Sequence, residues 1–297
     1  QVTDRRSDNQ FLIQAAAVVN SCGPGIERLM ESIGPSREKV TGTYAKAINL
    51  VTRRLFRNCA VGIRGSNGYL DRDRIIPTNS HFLFVAPWRD RSLVGTRYMP
   101  YESTPEKFQV TEEEVQVFLD EVNASRFGAR LTMEDVSFVH AGLLPMRNRT
   151  AGRCVELHKQ WKIIDHSDSG IEGFLTVQGA KYTTARLAAE KVVDKVLEKR
   201  GHTPKKSLTS VTPIHGGEIA DFDGFVRFEL RKNGQNLEES TFRHLLYNHG
   251  SAYAGVLRYL DSDHIEKTIT GSEVLKAEVI NGIREEMACT LSDVVFR

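Results

Sequence analysis

A strand-turn-helix pattern occurs twice in this sequence, near residue 20 and again near residue 180. In the first copy, an apolar run at 15–19 leads to Gly23-Pro24-Gly25, and an apolar stripe at helical spacing follows from Ile26 to Ile33. In the second, the apolar run 174–177 leads to a turn at 178–182 and a helix predicted from Thr183 to Lys199. The fold has to accommodate both units and the residues between them.

The residues between the two units predict a different kind of structure. Short β-like runs occur at 47–50, 81–86, 92–96 and 136–141, separated by turn residues. One helix interrupts them, because Thr111-Glu112-Glu113-Glu114 is a capping box with an apolar face behind it. This block predicts an antiparallel sheet with a helix lying on it.

The last third of the chain is predicted to be helical. After a polar stretch at 202–207, helical patterns span 222–230, 240–247, 252–260 and 273–287, with few strand signals. A separate helical domain is therefore expected.

Composition excludes several classes of function. The 40 Lys+Arg and 38 Asp+Glu leave a net charge of +2. This charge is too small to create a long-range electrostatic field that would attract nucleic acid. The longest apolar run, 82–87, is far shorter than the roughly 20 residues of a membrane span, and the start carries no export signal pattern.

The four scattered cysteines form no CxxC pair and suit a reducing compartment, so a cytoplasmic location is expected. No His, Asp or Glu cluster has metal-ligand spacing, and no metal is predicted.

Five segments in order resemble the FAD-dependent glycerol-3-phosphate dehydrogenase family. They are Val19-Asn20-Ser21-Cys22-Gly23-Pro24, Phe84-Val85-Ala86-Pro87-Trp88, Leu93-Val94-Gly95-Thr96 with the later Thr111-Glu112-Glu113-Glu114, Leu131-Thr132-Met133-Glu134-Asp135-Val136 leading to Ala141-Gly142-Leu143-Leu144-Pro145, and Leu175-Thr176-Val177-Gln178-Gly179-Ala180-Lys181-Tyr182-Thr183-Thr184. The resemblance covers about residues 15 to 200 and continues more loosely into the helical tail.

The resemblance implies a mixed α/β and α+β architecture. Residues 1–41 and 147–203 are expected to be the remainder of a Rossmann-like FAD domain, 42–146 an inserted antiparallel substrate-binding sheet, and 204–297 an all-α C-terminal domain. The family's GxGxxG motif for the FAD pyrophosphate does not occur in this sequence, and its first residue is Gln1. We therefore expect the chain to be part of a longer protein.

The resemblance also implies an activity and its partners. Glycerol 3-phosphate, a phosphorylated polyol, is oxidised to dihydroxyacetone phosphate by hydride transfer to FAD, and quinone or oxygen accepts the electrons. It leaves open a peripheral contact with the inner face of the membrane and a homodimer.

Five residues are assigned to cofactor binding on this resemblance. Lys181, between a glycine turn and a helix start, would concentrate positive charge near the flavin, together with Gly179 and Thr183. Gly23-Pro24 resembles the family's second cofactor turn. The alternatives are an ordinary helix start beside a solvated lysine and a purely structural Gly-Pro turn.

The predicted substrate contacts depart from the family pattern. Leu144 stands where the family has an arginine, and Lys159 is aligned with a second arginine and assigned to substrate binding. The family's Gly-Thr-Thr-Asp is replaced by a segment containing Thr96 and Arg97, which are also assigned to substrate binding. We hypothesise that Arg97 binds the anion in place of the family arginine, since Leu144 cannot; the alternative is an exposed arginine at a strand end.

His140 is the candidate catalytic residue. It lies two residues before Gly142, and an imidazole can act as a general base towards an alcohol. A hydrogen-bonded core or surface histidine is the alternative.

Two other functions remain open for the chain as a whole: a flavoprotein oxidoreductase for another small hydroxy or amino compound, and a non-catalytic fragment that cannot hold FAD alone.

Overall fold

The computed structural model describes most of the chain, namely residues 1–4, 6–33, 43–65, 82–149, 155–158, 160–179, 181–234, 237–260 and 267–295, without the side chains of 147–149. The chain divides into two compact units, Gln1–Lys205 and Lys206–Arg297. The sequence predicts this division at 203/204.

The first unit contains runs of strands separated by helices, and the second is built from helices. The strands are β1 Val2–Thr3, β2 Gln10–Phe11, β3 Val18–Asn20, β4 Tyr44–Arg53, β5 Val61–Arg64, β6 Phe82–Trp88, β7 Arg91–Tyr101, β8 Val136–Arg149, β9 Val155–Leu157, β10 Lys162–Asp165 and β11 Phe174–Gln178. The helices are α1 Ile26–Ile33, α2 Glu112–Ala124, α3 Ala185–Lys199, α4 Phe222–Asn233, α5 Glu239–His249, α6 Tyr253–Leu257, α7 Lys276–Glu285 and α8 Leu291–Val295.

The largest sheet is antiparallel and has the strand order β5-β6-β7-β4-β8-β9. Helix α2 packs on one face, because Val115, Phe118 and Leu119 share a core with Ile48 and Leu50 of β4. The predicted capping box forms: the Thr111 hydroxyl accepts from the Glu114 amide at 3.2 Å, and the Glu114 carboxylate accepts from the Thr111 amide at 2.9 Å. The block between the two strand-turn-helix patterns is therefore an antiparallel sheet with a helix packed on it.

The two strand-turn-helix units meet in a smaller sheet of order β10-β11-β3. Strands β3 and β11 are parallel, with Thr176 opposite Asn20, and β10 is antiparallel to β11. The predicted buried strand at 15–19 is wrong in part: β3 begins at Val18, and Val18 and Val19 are exposed, because β3 is the edge strand of this sheet.

An ion-pair cluster joins this sheet to α3. The Lys199 ammonium lies 3.0 Å from an Asp165 carboxylate oxygen at the end of β10. Burial by itself raises the pKa of Asp165, but hydrogen bonds from Ser167 and Lys199 outweigh it and hold that pKa well below its usual range. The carboxylate is thus ionised and fixes the last turn of α3.

The second unit has its own core. Phe242, Leu245 and Leu246 of α5 pack with Tyr253 and Val256 of α6. Its described strand pairing is an isolated bridge between Thr268 and Leu275. Within the described residues of both units, no helix combines the length and the apolar character that crossing a membrane requires.

Candidate functional site

The residues predicted to bind a cofactor lie at one edge of the smaller sheet. Parallel strands end on the same side, so the carboxyl ends of β3 and β11 are neighbours. The turn Gly23–Gly25 follows β3, and Gly179 and the segment 181–184 follow β11. Gly23 and Pro24 therefore follow one strand at the sheet edge where Gly179 follows its neighbour, and Lys181 and Thr183 come shortly after Gly179 in the chain. In open α/β sheets this is the edge at which ligands bind.

The turn Gly23–Gly25 is shaped by its glycine and held by a tyrosine. Gly23 has φ of +56°, which favours glycine, and a Cβ added there would meet no atom within 4 Å. The Tyr44 hydroxyl donates a hydrogen bond of 3.2 Å to the Pro24 carbonyl oxygen. Burial, together with the carboxylates of Glu27 and Glu106, raises the pKa of Tyr44 to about 12, so the phenol remains a donor at neutral pH. The turn is accessible and fixed.

The second turn presents a lysine. Gly179 passes close to Trp161, where an added Cβ would lie 3.3 Å from the Trp161 Cβ. Lys181 and Thr183 are exposed, and the Lys181 carbonyl accepts a 3.2 Å hydrogen bond from the Thr184 hydroxyl as α3 begins. An accessible glycine turn beside an exposed ammonium fits a negatively charged dinucleotide such as FAD.

A second group of predicted residues lies on the face of the large sheet that faces away from α2. Side chains alternate along a strand, and Ile48 and Leu50 face α2, so Asn49 faces the other way. The Thr96 hydroxyl donates to the Asn49 side-chain oxygen at 2.8 Å, and His140 is directly opposite Asn49 on β8. Thr96, Asn49 and His140 therefore form a row across three strands. Asn49 was not predicted, because its contact with Thr96 depends on strand register.

Two aromatic rings flank the imidazole of His140, which is itself exposed. Trp88 and Phe138 meet it edge to face, with ring centroids 5.5 and 5.1 Å away. Both rings are about half exposed. The result is a partly open aromatic surface with polar groups in its middle, an arrangement typical of a binding site for a small organic molecule.

Leu144, where the family has an arginine, lies on this same face. It is four residues beyond His140 on β8, about 13 Å along the strand. It packs with Ala45 and Met146 in an apolar cluster. Strand β8 also contacts the turn Gly23–Gly25, the first predicted cofactor turn. An apolar side chain here offers no donor to a phosphate.

Arg97 does not share this face. Consecutive strand residues point to opposite sides, and Arg97 follows Thr96. Its guanidinium lies 2.7 Å from the Glu121 carboxylate of α2, and the side chains of Arg97 and Glu121 are 13% and 1% exposed. The hypothesis that Arg97 takes the place of the family arginine is not supported by this position, since its charge is directed to Glu121. Lys159 lies outside the described residues.

Comparisons with known proteins point to a class of flavin-dependent oxidoreductases. Residues 207–297 match a family model described as the C-terminal domain of alpha-glycerophosphate oxidase. The X-ray structure of the glycerol-3-phosphate dehydrogenase from Bacillus halodurans complexed with FAD aligns with 98% of this chain and 54% of that chain, at 25% identity and a TM-score of 0.75.

Curated relatives carry the same name. The chain is 24% identical to the glycerol-3-phosphate dehydrogenase of Synechocystis sp., over 99% of its own length and 53% of that protein. It is 27% identical to the aerobic glycerol-3-phosphate dehydrogenase of Escherichia coli, over 100% of its length and 57% of that protein. The chain thus spans about half the length of the curated relatives it matches. The resemblance to the FAD-dependent glycerol-3-phosphate dehydrogenase family is confirmed.

Proposed function

We propose that this chain is the part of an FAD-dependent oxidoreductase that binds one side of the flavin dinucleotide and the substrate, and that the substrate is glycerol 3-phosphate. Residues 1–41 and 147–203 form the remainder of a Rossmann-like FAD domain, 42–146 the substrate-binding sheet and 204–297 an all-α C-terminal domain. The product is dihydroxyacetone phosphate.

The observation that carries this proposal is the meeting of two turns at one sheet edge. The turn Gly23–Gly25 follows one of two neighbouring parallel strands and Gly179 follows the other, and Gly23, Gly179, Lys181 and Thr183 are all exposed. Strand β8, which carries His140, contacts the first of these turns. The FAD-bound structure that matches 98% of the chain supports the assignment.

Each group on the chain has a distinct role in this proposal. The Lys181 ammonium and the glycine turns bind the dinucleotide, since positive charge and exposed backbone attract an anion. His140 accepts the hydroxyl proton of the substrate, while Thr96 and Asn49 orient its oxygen atoms. Trp88 and Phe138 hold the exposed imidazole in place by their edge-to-face contacts. Bound FAD supplies the hydride acceptor.

An FAD titration of the chain, followed by absorbance and flavin fluorescence, tests the cofactor assignment. Wild type is expected to bind, and Lys181→Met to bind about tenfold more weakly, the size of one charge-assisted hydrogen bond. Lys205→Met is the matched control, because it removes the same charge at an exposed position outside the turns. Equal affinities for Lys181→Met and Lys205→Met would contradict the role of Lys181. A wild type that binds no FAD would favour the non-catalytic fragment.

A second substrate class is favoured by the apolar surroundings of Leu144. The alternative function is oxidation of a small hydroxy or amino compound without a phosphate. Anaerobic addition of glycerol 3-phosphate or glycerol to the FAD-loaded chain separates the two, because bleaching by the phosphate ester alone supports the first proposal. Quinone or oxygen as electron acceptor, a cytoplasmic location, membrane contact and a homodimer are further parts of the proposal.

A further inference from the structure

A chain of buried polar groups lies directly behind the turn Gly23–Gly25. His166 follows β10, Thr176 lies on β11 and Asn20 ends β3, and all three are at most 1% exposed. The His166 Nε2 atom lies 2.9 Å from the Thr176 hydroxyl oxygen, and Asn20 Nδ2 donates to that oxygen at 3.4 Å. The Asn20 Oδ1 atom accepts from the Cys22 amide at 3.2 Å. The chain therefore ends at the backbone of the turn.

The donors and acceptors fix the direction of these bonds. The Thr176 hydroxyl has a contact to the Met30 sulfur at 3.9 Å, to which it can donate. Its oxygen can then accept from both His166 Nε2–H and Asn20 Nδ2–H. His166 Nδ1, which is buried and has no partner among the described residues, then carries only a lone pair. The other tautomer would bury an unpaired N–H at that atom, which is the costlier arrangement.

This direction determines which way the Asn20 amide points. Because Thr176 accepts from the amide nitrogen, the amide oxygen is directed to the Cys22 N–H. An amide turned the other way would place two donors against each other at Cys22 and remove the bond that shapes the turn. Asn20 is thus held in one orientation by Thr176 on the neighbouring strand and, through Thr176, by His166.

We propose that His166 and Thr176 are positioning residues of the cofactor turn: through the Asn20 amide they fix the backbone of Cys22 and of Gly23–Gly25 in the conformation that receives FAD. This inference rests on the proposed function. It assigns a role in cofactor binding to a histidine that is fully buried behind the turn.

Matched variants of the full chain test the proposal. Thr176→Val and His166→Leu remove the hydroxyl and the N–H, whereas Thr176→Ser and His166→Gln retain them. Ile164→Val is the structural control, because Ile164 lies directly opposite Thr176 and packs with Met30, and the change trims this core without altering the polar chain. The measurements are the hydrogen-exchange rate of the Cys22 amide in the unliganded chain and the FAD dissociation constant.

Thr176→Val and His166→Leu are expected to speed exchange at Cys22 and to weaken FAD binding about fivefold each, as for the removal of one hydrogen bond. Thr176→Ser, His166→Gln and Ile164→Val should stay within about twofold of wild type by the same conversion. The proposal would be overturned if the Cys22 exchange rate and the FAD affinity changed only in proportion to each variant's thermal stability, so that Ile164→Val could not be distinguished from Thr176→Val. If wild type binds no FAD, the proposed function fails, while the exchange rate still decides whether the turn is positioned in this way.

Discussion

A single methyl group added at Gly95 tests the packing of the row formed by Thr96, Asn49 and His140. A Cβ at Gly95 would lie 1.8 Å from the Asn49 side-chain oxygen, 2.7 Å from its Cγ and 3.2 Å from its Cβ. The first two distances are far inside van der Waals contact, so Asn49 has to leave its position. Gly95 is not among the residues with positive φ, and the cost of Gly95→Ala is therefore steric.

The magnitude follows from what Asn49 loses. Its hydrogen bond from Thr96 contributes about 1 kcal/mol. Forcing a side chain off its rotamer costs about 1 kcal/mol more. Replacing a strand glycine by alanine returns roughly 0.5–1 kcal/mol in backbone entropy. The expected destabilisation by Gly95→Ala is therefore about 1–1.5 kcal/mol, where an unobstructed glycine would give a small gain.

A double-mutant cycle isolates the clash. In an Asn49→Ala background the two closest atoms are absent, so Gly95→Ala should cost about 0 kcal/mol and the coupling between the two sites should exceed about 1 kcal/mol. Urea unfolding followed by tryptophan fluorescence gives these energies. Both tryptophans, Trp88 and Trp161, lie in the first unit and report on the correct part of the chain.

A matched control is available on the same face. A Cβ added at Gly142 would meet no atom within 4 Å, so Gly142→Ala should not destabilise the protein. The reasoning is refuted if Gly95→Ala costs the same with and without Asn49, or if Gly142→Ala costs as much as Gly95→Ala. Either result would mean that the Asn49 side chain does not lie against Gly95.

Three further predictions concern charged or titrating groups. Glu121→Gln should lower the free energy of unfolding of the first unit by about 3 kcal/mol in urea, because it leaves the buried Arg97 charge poorly compensated. Adding Arg97→Leu to this variant should recover most of the lost stability. For Tyr44, whose pKa is raised to about 12, the unfolded chain loses its phenolic proton first; the free energy of unfolding should fall between pH 10 and 12 more steeply in wild type than in Tyr44→Phe. For Asp165, whose pKa is lowered, stability is present above pH 4 and is lost as the pH falls below about 4; Asp165→Asn should lack this part of the acid dependence, and a parallel decline in both proteins would contradict it.

Local signals in the sequence were sufficient for several elements. The capping box at Thr111 and the apolar spacing behind it predict α2, which forms from Glu112 to Ala124. The glycine at 201 has φ of +74°, as expected for a residue that ends α3. In these places the structure depends on contacts between residues only a few positions apart, which sequence spacing captures.

Which residues lie together on one face of the sheet could not be predicted from the sequence, because it depends on how distant strands pair and on where α2 packs. The run at 136–141 predicts part of β8, but the strand continues to Arg149 because its second half pairs with β4 and β9. Strand alternation indicates that Thr96 and Arg97 point to opposite sides, yet only the position of α2 decides which of them faces the helix. Asn49 is identified as a site residue through its hydrogen bond from Thr96 on β7 and its register with His140 on β8.

The placement of charge narrows how a phosphorylated substrate could be recognised. Ala45, Asn49, Thr96 and Leu144, which lie on the face that carries His140, are all uncharged. Arg97 is directed to the opposite face by its pair with Glu121. In the proposed function, Lys181, which follows β11, is then the described cation assigned to ligand binding. The binding of a phosphorylated substrate and the binding of FAD would then both depend on the Lys181 ammonium, so loss of Lys181 should lower both affinities. If the substrate carries no phosphate, loss of Lys181 should lower the affinity for FAD alone.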